Sequence, residues 1–139
     1  MKRAGWYASP GFVPRRTPEQ EAFFTSLLPA HDALVPVDAA AVTIEVRRSK
    51  IAGVQAAFDA LVGLGDLVRV GAHLYRAEQL AEIRARLERT LRAEGRMTAA
   101  RFRDVVGTTR KYAVPLLEYF DAADVTARDG DERVLRPSD

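Results

Sequence analysis

The sequence predicts a mostly α-helical chain carrying two small β-hairpins, built as two copies of one unit. Three observations predict it. Apolar residues recur at helical spacing through most of the chain, two short strand-like stretches flank glycine-centred turns, and each half runs helices first and hairpin last. With 139 residues, 47% hydrophobic and 29% charged, the chain suits one ordinary domain or two small ones and not a disordered or fibrous protein. No stretch approaches the roughly 20 uncharged apolar residues of a membrane span, and MKRAGWYASPGF at the N-terminus lacks the apolar core of a secretory signal. The absence of cysteine excludes disulfides, thiolate metal sites and cysteine catalysis, and fits a reducing, cytoplasmic setting. Two distant histidines, His31 and His73, argue against a histidine-rich metal site.

Taken in order, residues 1–16 hold Gly5, Pro10, Gly11 and Pro14 and read as a linker or the tail of a preceding domain. Thr17-Pro18-Glu19-Gln20 starts a helix, with Thr17 as cap and Gln20 completing a capping box. Phe23, Phe24, Leu27 and Leu28 form its inward side, and it stops before Pro29. From Ala30 to Arg48 two readings compete: a short helix opened by Pro36 and running through Ala39 to Val42, or a strand in which Val42, Ile44 and Val46 alternate. Ser49 then caps a helix carrying Ile51, Val54, Phe58, Leu61 and Val62, which Gly63 and Gly65 end. Leu67–Val70 and His73–Arg76, around Gly71-Ala72, read as a hairpin.

The second half repeats this order. A long helix from Glu78 to Glu94 carries the stripe Leu80, Ile83, Leu87 and Leu91 and stops at Gly95. Thr98 caps a shorter helix with Phe102, Val105 and Val106, broken at Gly107. Thr108 or Thr109 caps the next, whose inward side is Tyr112, Ala113, Leu116, Leu117 and Phe120; Pro115 inside it predicts a kink or a late start. Val125–Arg128 and Arg133–Arg136 close the half as a second hairpin. Gly65-Asp66-Leu67 beside Ala123-Asp124-Val125, and Leu74-Tyr75-Arg76 beside Val134-Leu135-Arg136, point to a duplicated unit of about 60 residues. Three helices followed by a hairpin is the winged-helix order, so the expected fold is mostly α with small β-hairpin wings, as tandem winged-helix domains over 17–77 and 78–139.

Chemistry narrows next. No phosphate-loop motif occurs, Ser9, Ser26, Ser49 and Ser138 have no nucleophile-elbow context, and Asp129 and Asp131 sit where turns favour aspartate. The chain is therefore expected to be neither an enzyme nor a cofactor binder. Net charge is only +2, but its distribution is uneven. Arg96, Arg101, Arg103, Arg110 and Lys111 stand against Asp104 alone, while Glu118, Asp121, Asp124, Asp129 and Asp131 stand against Arg128, which reads as a basic face beside an acidic one. In helix-turn-helix relatives the second of two short helices presents its N-terminal end to nucleic acid. Here that end is Gly107-Thr108-Thr109-Arg110-Lys111, where free amides and the helix dipole favour a phosphate. Arg101 and Arg103 on the helix before, and Arg128 and Arg133 on the wing, extend the patch by charge alone. Tyr112 stays open between base stacking and core, and Arg47, Arg48 and Lys50 make a less basic counterpart in the first half.

The run from Arg101 to Asp121, RFRDVVGTTRKYAVPLLEYFD, with Val125-Thr126 and Asp131–Arg136, closely resembles the C-terminal end of the bacterial selenocysteine-specific translation elongation factor, SelB. The resemblance runs from about Leu61 to Arg136, roughly half the chain. It implies tandem winged helices whose last member binds the selenocysteine insertion hairpin of messenger RNA near its apical loop. It also implies GTPase and tRNA-binding domains upstream, and the ribosome as an indirect partner. Carried over by position, it points to Thr108, Thr109, Arg110 and Lys111, and it makes Pro115 part of the family pattern. The alternatives are a DNA-binding regulator, which predicts a dimer on half-sites, and a protein-interaction module using the acidic wing.

Overall fold

The computed structural model describes residues 16–28 and 34–136. Residues 1–15 of the expected linker, Pro29 and His31 lie outside the described residues. A leading helix α1 (Pro18–Leu27) is followed by β1 (Val37–Asp38), α2 (Ala39–Arg48), α3 (Val54–Gly63), β2 (Leu67–Val70) and β3 (His73–Arg76). The order then repeats as α4 (Ala77–Glu94), β4 (Met97–Thr98), α5 (Ala99–Val106), α6 (Arg110–Ala122), β5 (Thr126–Asp129) and β6 (Glu132–Leu135). Each repeat is a winged helix with a three-stranded antiparallel sheet, ordered β1-β3-β2 and β4-β6-β5. Val37 faces Leu74 in the first sheet and Met97 faces Arg133 in the second. The two edge strands were not foreseen: at two residues each they are too short to show a period.

Local chemistry starts and stops these elements. Thr17 and Gln20 form the expected capping box. Gln20 is buried and its Nε2 donates to the Ala52 carbonyl at 2.8 Å, just as the buried Gln79 donates to Val35 at 3.2 Å. The strand reading of Val42, Ile44 and Val46 is overturned. The Asp38 side chain accepts from the Ala41 amide and nucleates α2, which buries Ala39, Val42 and Val46 and leaves Ile44 52% exposed. Ser49 does not cap α3 either; it ends α2, and its hydroxyl accepts from the Ile51 amide. α3 begins after Gly53, whose φ of +74° disfavours any side chain and where an added Cβ would stand 2.9 Å from the Gln20 Nε2. Val62, expected inward, is exposed.

The repeat itself holds, one position out of the register read from sequence. Gly65 and Asp124, both at positive φ, occupy the same place after their helices. The amides of Asp66 and Val125 reach back to Leu61 and Phe120 in the same way. α6 is continuous from Arg110 through Pro115 and does not start late. Thr98 accepts from the Arg101 amide to open α5. Thr98→Ala is expected to cost about 1 kcal/mol in chemical denaturation, the usual worth of such a cap.

Phe24, Val42, Val46, Val54, Phe58, Leu61, Leu67 and Leu74 belong to one core. Ile83, Leu87, Leu91, Phe102, Val106, Leu116, Leu117 and Phe120 belong to a second, which also takes in Val70 and Tyr75 from the first repeat. Strand alternation accounts for this. One face of the β2–β3 wing carries Leu67 and Leu74 to its own core; the other carries Val68, Val70 and Tyr75 to the next. Burial pushes the Tyr75 hydroxyl well above the ordinary tyrosine range, and neighbouring Tyr112 adds to the shift.

Candidate nucleic-acid interface

Two short helices and the turn between them set the site. α5 buries Phe102 and Val106, and Gly107 at φ +76° reverses the chain. The amides of Gly107 and Thr108 both donate to the Arg103 carbonyl. α6 then buries Ala113, Leu116, Leu117 and Phe120. With those sides committed to the core, Thr109, Arg110 and Lys111 stand exposed at the start of α6, with Thr108 half-buried behind them. Thr109 is the cap, and its hydroxyl makes no capping bond, unlike those of Thr17 and Thr98. The unused hydroxyl and the amides of Arg110 and Lys111 together offer hydrogen-bond donors suited to an anion.

The cations fall into three groups. Arg110 and Lys111 are exposed, and among the described residues neither has a carboxylate partner. Lys111 Nζ lies 5.6 Å from the centre of the Tyr112 ring. Half-buried Arg103 on α5 is likewise unpaired, and exposed Arg128 on the wing donates through Nε to the Gly130 carbonyl at 3.0 Å. Arg101 is held by Glu94 through two bonds of 3.1 and 2.6 Å, which lower the Glu94 pKa. Arg133 is 9% exposed, and its guanidinium grips Asp121 at 2.9 to 3.2 Å. That side chain faces inward and leaves the surface patch. The site that coheres is therefore Thr108, Thr109, Arg110 and Lys111, with Arg103 beside it.

Folding joins the expected basic and acidic stretches at one pair and draws other arginines onto the acidic one. Arg96 pairs with Asp129 and Glu132, Arg133 with Asp121, and Arg136 with Asp124. Among the described residues only the Arg96–Asp129 pair joins the two stretches; Arg133 and Arg136 come from outside the basic one, and Arg103, Arg110 and Lys111 have no carboxylate partner. In the first repeat, Arg47, Arg48 and Lys50 are exposed at the corresponding turn, where Arg48 lies 3.9 Å from Glu45. Tyr112 is half-buried, its ring edge-to-face with His73 at 4.9 Å between centroids. Sequence reasoning missed that contact. The signal was present in the hairpin, where Leu67, Val68, Val70, Leu74 and Tyr75 supply apolar residues to both faces. No described helix is long and apolar enough to cross a membrane, and no group of described His, Asp or Glu residues suits a metal ion.

Residues 89–135 match the family model described as elongation factor SelB, winged helix. A selenocysteine-specific elongation factor of Desulfomicrobium baculatum is 36% identical over 80 residues, covering 57% of this chain and 13% of that protein. Its counterpart in Escherichia coli strain K12 is 43% identical over 63 residues, covering 45% of this chain and 10% of that protein. The chain thus spans a small part of those relatives' length. Among solved structures, the mRNA-binding domain of elongation factor SelB from E. coli, in complex with SECIS RNA, aligns at a TM-score of 0.64 and 24% identity. That alignment covers 88% of this chain and 100% of the other. A bacterial selenocysteine-specific elongation factor, EF-Sec, aligns at 0.64 and 20% identity over 87% of this chain and 19% of its own. At these identities the likeness to the solved structures is one of fold.

Proposed function

We propose, from the premise that the C-terminal part of this chain is a winged helix of the SelB type, that the chain is an RNA-binding module. It grips a messenger RNA hairpin, the selenocysteine insertion element, and tethers selenocysteyl-tRNA delivery to it. Residues 17–77 and 78–139 act as its two modules, in the cytoplasm, without a cofactor and without catalysis of their own. GTPase and tRNA-binding domains of the full-length factor are the covalent partners, and the ribosome an indirect one.

One observation carries this reading. Arg110 and Lys111 project unpaired from a helix start whose capping hydroxyl is also unused, within the segment matched to that family. The E. coli domain of like fold was solved with its RNA, which supports the same class of ligand here. Physics favours such a target: a duplex RNA major groove is too narrow for a helix, so contacts fall on the loop and the backbone. Phosphate contacts supply affinity, and one or two extruded loop bases supply specificity. Arg110 and Lys111 hold phosphate or a loop base, Thr108 and Thr109 donate hydroxyls, and Arg103 adds charge. Arg128 reaches the RNA from the wing, whereas Arg101 and Arg133, tied to Glu94 and Asp121, hold the fold and not the RNA.

The test is a titration of the chain with an RNA stem–loop carrying a looped purine–pyrimidine tip, against duplex DNA of matched length, over a salt series. Stem–loop-selective binding that weakens with salt is the expected outcome, with a log–log slope of about 0.7 to 0.9 per phosphate engaged. Equal affinity for the DNA, or no binding to several such stem–loops, overturns the reading.

A further inference from the structure

The wing of the first repeat ends against the start of α6. Gly71 at its tip holds φ +61°, which strains any other residue, and a Cβ there would stand 3.3 Å from the Pro115 Cβ, tighter than most such contacts. Two residues on, His73 shares the wing face that carries Tyr75 into the second core. Its ring meets Tyr112 edge-to-face. Tyr112 in turn lies under the ammonium of Lys111. A chain of three side chains thus runs from the first repeat, through an aromatic platform, to a cation at the candidate phosphate site.

We infer that His73 is a positioning residue for the RNA contact: by holding Tyr112 it sets where the Lys111 ammonium stands, so the first repeat shapes the second repeat's phosphate site without touching RNA. This rests on the RNA reading above. Lysine has a flexible four-carbon stem whose freedom is lost when it grips a phosphate. An aromatic face beneath the ammonium narrows that freedom beforehand, and a preorganised group binds more tightly for the same contact. The platform works only if its ring is fixed. Tyr112 is half-buried, and the ring contact that fixes it comes from His73.

The experiment is a double-mutant cycle on the whole chain, read by affinity for the same RNA stem–loop beside a thermal melt of each variant. His73→Ala is expected to weaken binding about three- to fivefold, the size of a lost cation–aromatic alignment. His73→Phe, which keeps a ring edge against Tyr112, restores it. In a Lys111→Ala background, His73→Ala has no further effect, because the group it acts through is gone. Tyr112→Leu reports on the same platform and serves if His73→Ala melts early. Unchanged affinity in both His73→Ala and Tyr112→Leu, failure of His73→Phe to restore binding, or an undiminished His73→Ala effect in the Lys111→Ala background each overturns the inference. If Arg110→Ala/Lys111→Ala abolishes binding while His73→Ala changes nothing, the RNA reading stands and the positioning role alone falls. A wild-type chain that binds no stem–loop removes both.

Discussion

Replacing Arg110 and Lys111 together by alanine is expected to weaken binding to the RNA stem–loop about 100-fold, and to lower the salt slope by about 2. Both side chains are exposed and neither is tied to a carboxylate, so each is free to neutralise a phosphate. Stability should move the other way. Two cations in the first turn of α6 oppose the helix dipole, and removing them relieves about 0.3 to 1 kcal/mol apiece. Fluorescence anisotropy at two salt concentrations, with a denaturant melt of the same protein, separates the effects. Binding that collapses while the melting midpoint holds or rises is the signature of a surface kept for its ligand. Binding lost in step with the fold would assign these residues to stability instead.

The second large effect is on stability. Asp121 accepts from Thr126 Oγ1 at 2.6 Å and from Arg133 at 2.9 to 3.2 Å, tying α6 to both strands of the second wing. Asp121→Ala leaves the buried Arg133 guanidinium and the buried Thr126 hydroxyl without their acceptor. Asp121 is itself partly exposed, so the cost falls toward the lower end for a broken buried pair, about 3 kcal/mol. Asp121→Asn/Arg133→Met, which removes both charges at nearly the same volume and keeps an acceptor for Thr126, should lie closer to wild type than Asp121→Ala does. Denaturant unfolding of the three proteins decides it. RNA affinity of the folded fraction should change little in any of them, since this triad faces inward.

Much of the fold was legible because local signals agreed. Gly71-Ala72 between two apolar stretches, the stripe Leu80, Ile83, Leu87 and Leu91, and the caps Thr17 and Thr98 each pointed one way, and the structure follows them. The stretch around Val42 failed because β-branched residues on a helix mimic strand alternation. The Asp38 cap, which decides the matter, bonds to an amide that a sequence does not display. Of the site, the start of α6 was legible because Thr-Thr-Arg-Lys after a glycine is a local pattern. Which cations remain free was not. Arg133 and Arg101 are taken by Asp121 and Glu94, residues that only the folded wing and the α4–β4–α5 turn bring close. Charge counted along a chain cannot see pairing across it.

The two-faced first wing has a consequence for the order of the two repeats. Val70 and Tyr75 are buried against the following repeat, whereas their counterparts in the second wing are exposed Asp129 and half-buried Val134. Two repeats of like element order therefore differ by position. Transposing them, or splicing the second wing onto the first repeat, would set an aspartate against an apolar neighbour and leave valine and tyrosine facing water. Adjacency gives the two halves a fixed order, readable in four side chains.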